Sequence, residues 1–213
     1  KVANIESDVI YWWLHWIFFQ AIPFGDSLIF LSPPLSEAPP GYRLQKMNNP
    51  SRQSPLVPFQ KSWIPEILSW VSSPTDLVLW SGSTFQKGLS TPVFLRHLQR
   101  SDLTAIAQLD PKGKLSCCGE VVRMSARRCS FCRIIVRPDS RGRGLGKAFC
   151  QQLLDWCIQK SGYKEVILNT LGNNHKALSC YQSIGFTITS RKKKARTVGG
   201  IKQDLIQLHY RKN

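Results

Sequence analysis

Residues 133–146 read Arg-Ile-Ile-Val-Arg-Pro-Asp-Ser-Arg-Gly-Arg-Gly-Leu-Gly, and this run constrains the fold more than any other part of the chain. An apolar, β-like stretch from Ile134 to Val136 stops at Pro138. Glycines follow at alternate positions 142, 144 and 146, and then a segment of helical period runs from Lys147 to Lys160. A strand that turns through glycines into a helix N-terminus leaves several backbone N–H groups without intrahelical partners, and these form a nest for an anion. Side chains at the glycine positions would hold that anion away from the amides. The segment therefore reads as a pyrophosphate cradle.

Two common cradles do not fit. A Walker loop needs Gly-x4-Gly-Lys-Ser/Thr, but here Gly146-Lys147 is followed by Ala148. A dinucleotide fingerprint needs its third glycine at position 147, which is lysine, so Glu165 has no matching loop to serve. The spacing that matches is Arg-Gly-x-Gly-x-Gly after a strand ending in Val-x-Pro. Downstream, Asn174, Ala177, Tyr181, Gly185 and Phe186 stand in the order Asn-x2-Ala-x3-Tyr-x3-Gly-Phe. The two motifs, in this order with a helix and a strand between them, resemble the signatures of the GNAT superfamily of N-acetyltransferases. Trp70 to Gly82 is a weaker match to the family's early helices, and the similarity spans about residues 53–210.

The resemblance implies an α/β fold: a mixed, largely antiparallel sheet with a central β-α-β unit and helices on both faces. It implies transfer of acetyl from acetyl-coenzyme A to a primary amine by direct attack in a ternary complex. Arg141, Gly142, Arg143, Gly144, Leu145 and Gly146 would hold the pyrophosphate, with arginine suited to bidentate phosphate contacts. Backbone groups of Ile134, Ile135 and Val136 would pair with the pantetheine arm like an added strand, one N–H polarising the acetyl carbonyl. Asn174 would touch the same arm, or cap its helix, or both. Tyr181 is the candidate general acid, since a phenol of pKa ~10 stays protonated beside a leaving thiol of ~8.5. Glu120 is either a general base acting through water or an ion-paired carboxylate. His175 reads as solvent-exposed. No cysteine is expected at the site and no metal is required. The rival reading is a catalytically idle module of this fold that binds nucleic acid or protein through a basic face.

Charge bears on that rival. The chain of 213 residues carries 29 Lys+Arg against 13 Asp+Glu, a formal +16. The first 46 residues hold only three basic and four acidic side chains, so the remainder carries +17. Such a field favours polyanions, whether the cofactor, an acidic acceptor or nucleic acid. Arg191–Arg196 (Arg-Lys-Lys-Lys-Ala-Arg) is expected as a loop, which the resemblance would set beside the acceptor; it is either a solvated run or, if functional, selects an acidic acceptor or nucleic acid and disfavours polycationic acceptors. Seven cysteines, an odd number, suit reduced thiols in a cytoplasmic protein, either monomer or homodimer. Cys129 and Cys132 would face opposite sides of a strand, as would Cys117 and Cys118, which argues against one zinc site.

Residues 1–46 differ in composition and are expected to lie outside an acetyltransferase domain at 47–213. Val9–Phe19 is densely aromatic, prolines 33, 34, 39 and 40 follow, and Met47 is one of only two methionines. Eleven residues are too few to span a bilayer, although an interfacial anchor is an alternative use. Strands are expected near 55–59, 102–109, 115–124, 129–136, 166–171, 186–190 and 205–210. Helices are expected at 62–72, after the glycine loop and near 174–183, with 77–89 helical or irregular.

Overall fold

Leu115–Arg123 buries eight of its nine residues, the pattern of a strand covered on both faces. It lies near the middle of a seven-stranded sheet. The computed structural model describes residues 21–24, 27–30 and 54–212. The chain divides into two units, Lys1–Ser51 and Arg52–Asn213. In the first, β1 (Ala21–Phe24) and β2 (Ser27–Phe30) pair antiparallel. The aromatic run 9–19, prolines 33–40 and Met47 lie outside the described residues.

The second unit begins with β3 (Leu56–Pro58), α1 (Ile64–Ser69), α2 (Pro74–Ser81) and α3 (Thr91–Leu98). Then come β4 (Leu103–Leu109), β5 (Leu115–Arg123) and β6 (Arg128–Val136). After the glycine loop follow α4 (Leu145–Asp155) with a π turn at Trp156–Lys160, β7 (Glu165–Leu171) and α5 (His175–Gln182). The hairpin β8 (Thr187–Val198) and β9 (Ile201–Arg211) closes the chain. The sheet order is β3-β4-β5-β6-β7-β9-β8, antiparallel except for the β6–β7 pair. That parallel pair and the crossing α4 are the expected β-α-β unit.

Each face of the sheet has its own core. On one, Phe149, Leu153 and Leu154 of α4 pack with Phe131, Val166, Leu168, Ile206 and Leu208. Each such side chain contributes ~1.5–3 kcal/mol by leaving water. On the other, Ile64, Ile67, Trp70, Phe85 and Phe94 from the early helices meet Ala107, Leu115, Cys118 and Ile135. Helices therefore cover both faces, in agreement with the expected GNAT-type mixed sheet.

Two expectations about local structure change. Thr91–Leu98 is a helix that the expected layout omitted; Pro92 stands in its first turn, just as Pro74 does in α2. The basic run Arg191–Arg196 is not a loop but part of β8, an edge strand bulged twice against β9. Lys194 takes φ 50° at the second bulge, where its N–H donates to Asp204 Oδ1 (2.9 Å), and Arg191 pairs with the same carboxylate. Lysines and bulges on an outer strand are a usual guard against edge-to-edge pairing.

Candidate active site

Arg137 fixes the end of β6. Its guanidinium donates to Asp110 Oδ2 (3.1 Å), Asp139 Oδ1 (2.8 Å) and the Leu115 carbonyl (3.0 Å). Arg141 Nε donates back to the Val136 carbonyl (3.0 Å), so this arginine ties the loop to its strand. Gly142 and Gly144 have φ of 77° and 82°, left-handed values that cost an L-residue ~1–2 kcal/mol. The first backbone bond into α4 runs from Ala148 N to Gly144 O (3.1 Å). Among the described residues, the amides from Gly142 to Lys147 have no backbone acceptor. At Gly146 a Cβ would lie 3.4 Å from Val136 Cγ2, in van der Waals contact with the strand end.

A kink in β6 opens the space beside this loop. Glu120 pairs with Cys132 and Cys118 with Ile135, which leaves Gly119 facing two residues, Arg133 and Ile134. This is a β-bulge. Arg133 occupies its left-handed position at φ 47°, a conformation that costs a non-glycine residue about 1–3 kcal/mol. Ile134 rides over Gly119 so closely that a Cβ there would fall 2.9 Å from Ile134 Cγ1 and 3.1 Å from Phe149 Cε1. β6 pairs with β7 only from Arg128 to Phe131, and the ladder ends at the kink.

Ile134, Ile135 and Val136 thus border a cavity of about 970 Å3. It is also lined by the loop residues Arg141, Gly142, Gly144, Leu145 and Gly146, by Asn174 and Tyr181 of the α5 region, and by Trp70, Asp76 and Trp80. Arg143 is absent from that lining.

Tyr181 packs edge-on against Phe186, ring centroids 6.0 Å apart, while bordering the cavity. Burial pushes its phenol well above the ordinary value, and nearby cysteines add to the effect. Such a group remains a proton donor throughout the neutral range. Asn174 caps α5, its Oδ1 accepting from Ala177 N (3.2 Å), and it also lines the cavity. His175 borders the cavity too. So do Cys150 and Cys180, contrary to the expectation that no cysteine falls at the site. Contact with the Cys150 thiol and attraction to the Lys147 ammonium lower the Cys180 thiol.

Glu120 is not on the cavity wall. It is 3% exposed, and its Oε2 accepts from Arg133 Nε (2.6 Å) and meets His97 Nε2 at 3.0 Å. Burial alone would raise its carboxyl, but hydrogen bonds from His97 and Arg133 outweigh burial and hold it below the ordinary value. Its setting is the ion-paired one of the two expected. Among the described residues no cluster of three or more His, Cys, Asp or Glu could hold a metal, and no helix is long and apolar enough to cross a membrane.

The sequence and fold match known proteins. The model of the acetyltransferase (GNAT) family matches residues 66–186, more than half the chain. An uncharacterized N-acetyltransferase of Schizosaccharomyces pombe is 36% identical over 61 residues, which make up 29% of this chain and 37% of the relative. A spermidine N-acetyltransferase from Vibrio cholerae, solved with CoA and spermine, superposes with a TM-score of 0.66 at 16% identity, covering 75% of this chain and 95% of that one. A mutant of that enzyme gives 0.63 at 16% identity over 73% and 94%. At such identities these structures speak for the fold alone. The family match, over more than half of the chain, shows that this chain belongs to the acetyltransferase (GNAT) family.

Proposed function

We propose that this protein acetylates a primary amine by direct attack within a ternary complex, with acetyl-CoA bound across the kinked strand and the glycine loop. One observation carries the reading: loop residues Gly142 and Gly144–Lys147, strand residues 134–136 beyond the β7 ladder and Tyr181 all border one cavity. Acetyl-CoA fits a site with this chemistry and supplies an acetyl group activated as a thioester.

In this account the loop amides and the α4 N-terminus hold the pyrophosphate. Arg143 adds charge from outside the wall. Arg141, occupied with the Val136 carbonyl, chiefly shapes the loop. Backbone groups of Ile134–Val136 align the pantetheine arm and polarise the acetyl carbonyl. Asn174 contacts that arm while it caps α5. Tyr181 passes its phenolic proton to the departing sulfur, a role whose loss typically costs roughly 10²–10⁴-fold in rate. The acceptor amine loses its proton to solvent, because Glu120 is already engaged by Arg133 and His97 away from the cavity.

The exposed cations of β8 weigh against a polycationic acceptor. A small amine without extra positive charge and a protein N-terminus both fit. A panel of amines, read as coenzyme A release by a thiol-reactive dye, tests the proposal. Release with at least one acceptor is expected. Failure to bind acetyl-CoA in calorimetry would refute the reading and favour an idle module.

A further inference from the structure

The buried group of His97, Glu120 and Arg133 has no place in the proton account above, yet it sits at the point where β6 leaves the ladder. Glu120 and Arg133 side chains are 4% and 6% exposed. Burying such a pair costs desolvation that attraction alone often fails to repay, so the arrangement calls for a further explanation. Its partners point to one. Arg133 is the left-handed residue of the bulge, and its guanidinium and carbonyl are engaged from three separate places in the chain. Its Nε and Nη2 meet Glu120 Oε2 on β5, and its Nη1 donates to Thr84 Oγ1 (3.0 Å) beyond α2. Its carbonyl accepts from Trp80 Nε1 of α2 (2.8 Å). His97 of α3 grips the same carboxylate oxygen. A bulge with a left-handed residue usually has glycine there. Here an arginine is held there by four contacts, with His97 engaging the carboxylate it pairs with.

We propose that Arg133 and Glu120 are positioning residues: their buried ion pair, steadied by His97, Thr84 and Trp80, holds the bulge that aims the Ile134–Val136 backbone into the cofactor cavity. Glu120 then acts on acetyl-CoA binding through Arg133 and takes no proton from the acceptor. Trp80 lines the cavity as well, so its hydrogen bond to the Arg133 carbonyl ties the wall formed by α2 to the cofactor strand. The inference rests on the proposed acetyl-CoA reading.

Glu120→Gln separates positioning from base catalysis. The groups that bear on its charge are His97 and Arg133, with Arg100, Cys118 and Cys132 further out. Full-length wild type, Glu120→Gln, Arg133→Met, Arg133→Lys and the Glu120→Gln/Arg133→Met pair are titrated with acetyl-CoA by calorimetry. Their rates are then followed against pH at saturating acetyl-CoA. The expected result has four parts. Glu120→Gln and Arg133→Met each weaken acetyl-CoA binding at least tenfold, and the acidic limb of the pH–rate profile stays where wild type has it. Arg133→Lys recovers part of the affinity, and the double variant binds no worse than the weaker single. Trp80→Phe, which removes one N–H and keeps a ring, is expected to weaken binding in the same direction even if the charge variants do not fold. Unchanged affinity in the folded variants overturns the inference, as does an acidic limb lost in Glu120→Gln with binding intact. Silence from wild type overturns the acetyl-CoA reading itself, and this inference with it.

Discussion

Gly144→Ala tests the cradle at an exposed, left-handed position. Gly144 has φ 82° and ψ −4°, caps α4, and has open space around the position of an added Cβ. The substitution therefore creates no clash within the protein. Its cost to folding is only the left-handed penalty of an L-residue, ~1–2 kcal/mol. For a chain of this size each kcal/mol moves the melting temperature by about 2–4 °C, so a fall of roughly 2–8 °C is expected. The cost to binding has another origin. The new methyl group stands beside the unpaired amides where the pyrophosphate would approach, and losing one charge-assisted hydrogen bond removes about 1.5–3 kcal/mol. At 1.4 kcal/mol per decade, acetyl-CoA affinity should fall by about 10- to 100-fold. Differential scanning calorimetry and isothermal titration measure the two effects separately. A melting point lowered as expected, with acetyl-CoA affinity unchanged, would refute the cradle while leaving the loop geometry intact.

Other outcomes follow from the same structure. Tyr181→Phe should lower kcat by roughly 10²–10⁴-fold with little change in acetyl-CoA affinity, and an unchanged rate removes Tyr181 from the mechanism. Because burial raises the Tyr181 phenol, no loss of rate from its ionisation is expected up to about pH 10, where a free tyrosine titrates. Glu120 is held below its ordinary 4.5, so its contribution to stability is present above that value and fades as pH falls through the lower folded value. Acid titration of melting temperature should accordingly be shallower in Glu120→Gln than in wild type, and equal slopes would contradict the assignment. Incubation with acetyl-CoA alone should leave no acetyl adduct on Cys150 or Cys180 by mass spectrometry; a stable adduct would argue for a covalent route. Residues 47–213 expressed alone should melt and turn over like the full chain, and loss of folding would show that the first 46 residues belong to the domain.

The glycine loop was legible because its chemistry is local. Positive φ at Gly142 and Gly144 leaves glycine as the residue that fits there. The Asn174–Phe186 motif was legible for a similar reason, since cap, helix and following strand are set by neighbours in sequence. The bulge was not, because it is a property of how β5 and β6 pair. Arg133 carries no mark of a left-handed residue, and only the register of Glu120 with Cys132 and Cys118 with Ile135 exposes it. Gly119, a lone glycine inside an apolar run, was the one available hint.

Charge misled at Arg191–Arg196. A run of cations looks like a solvated loop, but an outer strand with one free edge accommodates it equally well. The Ser90-Thr91-Pro92 start of α3 was readable by analogy with Ser73-Pro74. The cavity cysteines were not, since Cys150 and Cys180 meet there only because α4 and α5 pack side by side.

The account turns on whether the amides of Gly142–Lys147 bind the pyrophosphate of the cofactor. Comparative titration of the full chain with acetyl-CoA and with S-acetylpantetheine, which has the same thioester arm but no pyrophosphate, tests this most directly. Two charge-assisted hydrogen bonds contribute at least ~3 kcal/mol, so acetyl-CoA should bind at least about a hundredfold more tightly. Equal affinity for the two would mean that the loop holds no phosphate, and the central claim would fail.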